Sequence, residues 1–155
     1  MYSNNTTDNY NNTPVTNNKP YIQKNTGYSQ FDLLQKFNIK VSNTNNLILN
    51  FQYSESSIIP RFDRLNELNN GELKFAEWYY GPQKRLLFSP QYQFHPNLKW
   101  LNSGTITLAY QNVKESRVKR RYGNLERSHQ NENVDVFSVN TDFKVNLREK
   151  RNLFY

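Results

Sequence analysis

The 155-residue chain contains no cysteine, so it can form neither a disulfide framework nor a cysteine-based metal site. No stretch approaches the ~20 apolar residues of a membrane-spanning helix. The first residues, MYSNNTTDNYNNTPVTNN, have neither a basic start nor an apolar run, so no secretory signal peptide is expected there. Apolar residues are scarce, at 35% of the chain with a mean hydropathy of −0.94. That leaves little material for the core of a compact domain of this size.

What the chain does have is aromatic and basic. Aromatics make up 15% of it, with 11 Tyr and 10 Phe, unlike the aromatic-poor composition of unfolded chains. A net charge of +7 suits nucleic acid, an anionic membrane surface or an anionic ligand, and charge alone does not choose among them. From Met1 to Gly27 the sequence is rich in Asn and Thr, is broken by Pro14 and Pro20, and has no periodicity. This segment is expected to be disordered or loop. Its Asn-x-Thr triplets follow from composition rather than marking glycosylation.

After Tyr28 the chain alternates with period two, the mark of strands with one apolar face. Phe31, Leu33, Phe37, Ile39 and Val41 share a face, as do Leu47, Leu49, Phe51 and Tyr53. The same holds for Leu86, Phe88, Tyr92 and Phe94, for Ile106, Leu108 and Tyr110, and for Phe137, Val139, Phe143, Val145 and Leu147. The alternation predicts five strands near 29–41, 47–55, 85–95, 104–113 and 134–147. Pro90 implies a bulge or local edge in the third. Leu153, Phe154 and Tyr155, after a basic turn from Arg148 to Asn152, read as the start of a sixth.

The connections alternate short and long. Ser42–Asn46 and His95–Ser103 are short, whereas Ser57–Gln83 and a polar loop from about Lys114 to Asn133 are long. Antiparallel pairing of sequence neighbours then puts all short turns at one end of the sheet and all long loops at the other. A strand of ~11 residues tilted near 45° crosses ~25 Å, the height of the apolar band of an outer-membrane barrel. In such a barrel the apolar face meets lipid and the polar face a wet lumen, which reconciles low hydropathy with a satisfied apolar face. Tyr53, Tyr92, Phe94, Trp100 and Tyr110 near strand ends would supply aromatic girdles. The expected fold is an all-β antiparallel meander of about five long strands, part of a transmembrane β-barrel. A soluble sandwich has similar alternation.

The segment SIIPRFDRLNELNNGELKFAEWYYGPQ, Ser57 to Gln83, is too long for an ordinary loop in a compact domain. Its runs PRFDRL (Pro60 to Leu65) and NNGELKFAEWYYGPQKRLL (Asn69 to Leu87) resemble a stretch of TonB-dependent outer-membrane receptors, in particular the haem and haemoglobin receptor-like group of Bacteroidetes. AYQNVKESRVKRRYGN (Ala109 to Asn124) and ENVDVFSVNTDF (Glu132 to Phe143) are similar to the next hairpin of those receptors. NTGYSQFDLLQKF (Asn25 to Phe37) and LILNFQYS (Leu47 to Ser54) fit upstream.

The resemblance implies a larger parent, with a plug inside a 22-stranded barrel, that imports an iron-bearing ligand such as haem or a siderophore across the outer membrane. Five open strands would leave unpaired backbone at both edges, at several kcal/mol per unsatisfied group in lipid. The chain is therefore expected to be a receptor fragment or one piece of a split frame, not transport-competent alone. Its partners would be outer-membrane lipid and the parent's remaining strands and plug, with TonB engaged only through other parts.

Arg61, Asp63, Arg64 and Glu67 read first as ion pairs shaping the loop, with Arg61 and Arg64 as lesser candidates for ligand contact. Trp78, Tyr79 and Tyr80 could offer a platform to a flat ligand, although neighbours on a strand alternate in direction. His129 is a conceivable axial iron ligand and more simply a solvated loop histidine. Neither a metal cluster nor a cofactor site is legible.

The basic cluster Lys114, Arg117, Lys119, Arg120 and Arg121 supports the rival class, a soluble β-sheet module that binds nucleic acid with aromatic platforms. In the barrel reading it lies in an extracellular loop, away from the aromatic strand faces, where it pairs with Glu115 and Glu126 or meets lipopolysaccharide phosphates. An enzyme is not expected. Glu67, Glu72 and Glu77 recur every five residues, which fits solvated loop charge and no hydrolase spacing.

Overall fold

The computed structural model describes residues 7–8, 14–15, 19, 21–96 and 98–146. Most of the expected unordered N-terminal segment, the basic turn at Arg148–Asn152 and the sixth-strand start at Leu153–Tyr155 lie outside them. One short pair precedes the sheet proper: β1 (Thr7–Asp8) lies antiparallel to β2 (Pro14–Val15).

The fold is an all-β antiparallel meander. Its five long strands are β3 (Gln30–Lys40), β4 (Asn45–Ser56), β9 (Lys84–Phe94), β10 (Leu101–Arg121) and β11 (Arg127–Val145). Between β4 and β9 lie β5 (Ile59–Pro60), the single-turn α1 (Phe62–Leu65), the hairpin β6 (Leu68–Asn69) with β7 (Glu72–Leu73), and β8 (Phe75–Tyr80). Hydrogen bonding follows the order β3-β4-β9-β10-β8-β5, with β11 also on β10. Among the described residues, β3 and β11 each have one neighbour, so each has an unpaired outer edge.

Two readings of the connections need correction. Ser57–Gln83 is not one long loop, because β5 continues the direction of β4 and pairs with β8, Ile59 facing Tyr80 and Pro60 facing Tyr79. Nor is Lys114–Asn133 a loop. β10 runs to Arg121, β11 begins at Arg127, and only Tyr122–Glu126 turns between them. Cross-strand pairing outweighs the polar composition of these residues, because β8 supplies partners to the last turns of β10. β9 also runs through Pro90 as an inner strand between β4 and β10, not as an edge.

The chain folds as two compact units. The first comprises Met1–Leu33, Tyr53–Arg85 and Asn112–Val134, and the second Leu34–Gln52, Leu86–Gln111 and Asp135–Tyr155. In the second unit, Val41 and Ser42 N–H groups both donate to the Asn45 carbonyl and close a tight turn. The His95 N–H donates to the Thr44 carbonyl at 3.0 Å, tying the next connection to that turn. Aromatics pack along one face. Phe94 stacks on Tyr92 and meets Phe143 edge-on, and Tyr110 lies 4.9 Å from Phe137. A β-carbon on Gly104 would come within 2.3 Å of the Phe94 ring, so this ring uses the space above the glycine.

The apolar face of the second unit is open. Phe37, Ile39, Val41, Phe88, Leu108, Val139, Phe143 and Val145 are exposed, and Phe137 is 78% accessible. Among the described residues only two apolar side chains are buried, Leu101 and Val118. Burial of apolar surface is the main stabilising term in folding, so a water-facing sheet of this kind has almost no core to hold it.

Candidate functional site

The candidate site lies in the first unit, where the excursion from Ser57 to Gln83 is pinned at its base. The Ser56 N–H donates to the Gln83 carbonyl at 2.9 Å, and the Gln83 N–H donates to the Ser56 hydroxyl at 3.0 Å. Gln83 reaches on to Glu115 through its side-chain amide at 2.9 Å. At the far tip, β6 and β7 join through Asn70 and Gly71, both with positive φ, at 52° and 86°. This is the two-residue turn that Asn-Gly favours.

β8 pairs antiparallel with the end of β10, with Arg117 opposite Tyr80, Val118 opposite Tyr79, Lys119 opposite Trp78 and Arg120 opposite Glu77. Directly opposed residues share a face. Trp78, Tyr80, Arg117 and Lys119 therefore lie on one side, and Glu77, Tyr79, Val118 and Arg120 on the other. The register shifts after Arg120, so that Arg121 faces Phe75 and Ala76 is left over. A bulge of this kind re-aims the side chains next to it.

On the first side, Trp78 and Tyr80 meet edge-to-face at 5.2 Å. Guanidinium groups cap them from both flanks, Arg61 at 5.2 and 5.6 Å from the two rings and Arg117 at 5.7 and 5.4 Å. Arg61 also donates to the Tyr80 hydroxyl at 3.2 Å and grips Asp63 through Nε and Nη2 at 2.8 and 2.6 Å. That grip lowers the Asp63 carboxyl to about 2. The Arg117 Nε is buried without a hydrogen-bond partner among the described residues. Its guanidinium lies within cation–π range of both rings, a contact that strengthens as the cation is desolvated.

On the second side, Glu77 gathers two arginines. Arg127 donates to it through Nε and Nη2 at 2.6 and 2.7 Å, and the Arg120 Nε lies at 3.4 Å. Arg120 is 4% accessible and also donates to the Asn124 carbonyl at 3.0 Å. The hydrogen bond from Arg127 is the main reason the Glu77 carboxyl sits below its ordinary value, with the charges of both arginines adding to it and partial desolvation opposing. Pro60, Leu65, Leu73, Phe75 and Tyr79 border a cavity of about 260 Å³ on this side.

The residues singled out in the sequence are thus distributed differently from the expectation. Arg61, Trp78 and Tyr80 come together, while Tyr79 lies on the other face of β8 and lines the cavity of about 260 Å³, which Trp78 also borders. Arg64 pairs with Glu67, which also holds Lys74 at 3.2 Å, so the expected ion pairing around α1 is present. Lys114, Arg117, Lys119, Arg120 and Arg121 lie on β10 rather than in a loop, and Arg117 and Lys119 share a face with two aromatics. The separation of basic from aromatic residues read from the sequence therefore does not hold. His129 is an exposed residue of β11, again not a loop position. Among the described residues no group of three or more histidines and carboxylates could hold a metal ion.

The Glu77–Arg120–Arg127 cluster was missed altogether, because Glu77 read as solvated loop charge. Its bidentate partner is 50 residues away in the chain, and no local pattern signals such a pairing. Comparison with known proteins adds no identity: the chain matches no family model, no curated protein and no solved structure.

Proposed function

We propose that this chain is a segment of the transmembrane β-barrel of a TonB-dependent type outer-membrane receptor, whose parent takes up an iron-bearing ligand such as haem or a siderophore. The observation that carries the reading is the open apolar face of the second unit, together with the edges of β3 and β11 that are unpaired among the described residues. In water, such a face is a liability and long free edges invite aggregation. In a closed barrel, lipid covers the face and further strands pair the edges. The segment alone does not transport; it contributes wall and an outer crown.

The lipid-facing assignment is tested with single tryptophans in a W78F/W100F background, placed at Phe137 and Val139 or at Ser138 and Asn140, in micelles with a brominated detergent. Strong quenching at the first pair and weak quenching at the second is expected. Equal quenching, or a chain that stays monomeric in water with none, overturns it. Family membership is tested in the flanking DNA, where frames for a plug upstream and more alternating strands downstream are expected.

One observation favours the nucleic-acid reading, the joint placement of Arg117, Lys119, Trp78 and Tyr80 on one face. Against it, the two rings are already capped by guanidiniums and by each other, which leaves them poor stacking platforms for bases. Retention on single-stranded DNA that survives physiological salt would favour this second reading. Binding lost by that salt reflects net charge only.

A further inference from the structure

A second concavity, of about 420 Å³, is lined by Lys74, Phe75, Lys119, Arg121, Asn124, Glu126, Arg127 and Ser128. Its size falls in the range of about 300–1,000 Å³ usual for small-molecule sites. We propose that this concavity is a binding site for a phosphomonoester or pyrophosphate group. The proposal stands on the first unit alone and does not depend on the barrel reading.

The argument is one of charge left over. Lys74 is engaged by Glu67, and Arg127 by Glu77. Lys119 and Arg121 are exposed and have no carboxylate partner among the described residues. Two residues apart on one strand, they lie on the same face, ~6.6 Å apart along it. The bulge puts Phe75 opposite Arg121, and Lys74 lies 5.3 Å from the Phe75 ring, which gives the concavity an apolar floor beneath a cationic rim. The Asn124 side-chain Oδ1 accepts the Glu126 N–H at 2.9 Å, which leaves the side-chain NH2 as the group able to donate. The Ser128 hydroxyl is a further donor on the wall.

A lining that carries a point charge, a planar fork, an amide and a hydroxyl suits a multivalent oxyanion with several acceptor oxygens. A phosphate or pyrophosphate brings more acceptor oxygens and more negative charge to that donor set than a carboxylate does. Glu126 is the one carboxylate on the wall, and it limits affinity.

The test is titration calorimetry of the full chain in phosphate-free maltoside micelles. Inorganic pyrophosphate is the soluble probe, and a phosphomonoester lipid doped into the micelles is the lipid probe. K119Q/R121Q is expected to weaken pyrophosphate binding by roughly tenfold or more, since each lost contact is charge-assisted. E126Q is expected to strengthen it, and K119R/R121K to retain most of it. A K36Q/K40Q control, with the same loss of charge, is expected to leave it unchanged.

Tighter binding of the lipid than of pyrophosphate identifies a headgroup as the source, and equal binding identifies a free phosphate. Either result supports the site, provided the variants respond as stated. Equal weakening in K36Q/K40Q, or no gain in E126Q, overturns the proposal in favour of diffuse attraction to net charge. An oligothymidylate that binds far tighter per phosphate than pyrophosphate overturns it in favour of a nucleic-acid strand. Hydrogen exchange of Phe75–Tyr80 in each variant confirms that the fold is retained.

Discussion

Substituting Glu77 by Gln should loosen the tip of the sheet selectively. Glu77 lies 3.4 Å from the Arg120 guanidinium, whose side chain is 5% accessible. Removing one member of a buried pair typically costs about 3–5 kcal/mol, because the remaining charge is left without compensation. Here the loss should be smaller, about 2–3 kcal/mol, for two reasons. Glu77 keeps 23% of its side chain accessible, and Arg120 retains its bond to the Asn124 carbonyl. At 1.4 kcal/mol per factor of ten, local opening should rise roughly 30- to 150-fold. The assay is amide hydrogen exchange of the Phe75–Tyr80 segment in micelles, where the exchange rate follows the opening equilibrium.

The double variant E77M/R120M separates pairing from packing. Replacing both partners by apolar side chains of similar size is often close to neutral, so most of the protection should return. Arg127, half accessible at its side chain, can solvate itself. An increase in exchange of less than about twofold for E77Q, or a double variant worse than the single one, would refute the idea that the cluster holds β8 against β10 and β11.

Three further outcomes are expected. Because folding holds the Glu77 carboxyl below its ordinary value near 4.5, its contribution is complete above that pH and is lost as the pH falls through the lower folded-state value; E77Q should abolish this acid dependence of exchange in the first unit. Gly71→Ala, at φ 86°, should cost about 1 kcal/mol at the β6–β7 turn while Asn70→Gly stays near neutral, as read by exchange of Leu68–Leu73. Gly104→Ala should cost about 1–3 kcal/mol by overpacking against Phe94, and Phe94→Leu should relieve part of it, which denaturation in micelles followed by Trp100 fluorescence would show.

The strand content was legible because alternation at Phe31–Val41, Leu47–Tyr53 and Phe137–Val145 needs only local pattern. The upper halves of β10 and β11 were not. From Lys114 to Asn133 polar residues dominate both faces, with Val118 and Leu125 isolated among them, so no period-two signal survives. What makes the end of β10 strand is pairing with β8, a segment some 40 residues earlier whose own pattern is blurred by three consecutive aromatics and the Ala76 bulge, and β11 pairs in turn with β10. Trp78 and Tyr80 were recognisable as candidates, but their being capped by Arg61 and Arg117 depends on β5 and β10 meeting at β8. No sequence spacing encodes that meeting.

The strand limits read from alternation nevertheless carry information of another kind. β10 has 21 residues and β11 has 19, which at ~3.3 Å per residue makes each about 60–70 Å long. An apolar band of ~25 Å needs only ~11 tilted residues. Alternation of apolar and polar residues stops after Val113 and resumes at Val134, close to where the first unit takes over from the second in both strands. The points where the pattern fails are therefore not strand ends but the limits of the part requiring an apolar face. Beyond them the same hairpin continues on cross-strand charge and backbone pairing, with Glu77, Arg120 and Arg127 supplying cohesion there. A substitution such as Arg117→Leu in the charged part should leave micelle association unchanged, whereas Val139→Asp should weaken it by a depth-dependent amount of up to a few kcal/mol; equal effects on association would show that the pattern break marks no physical boundary.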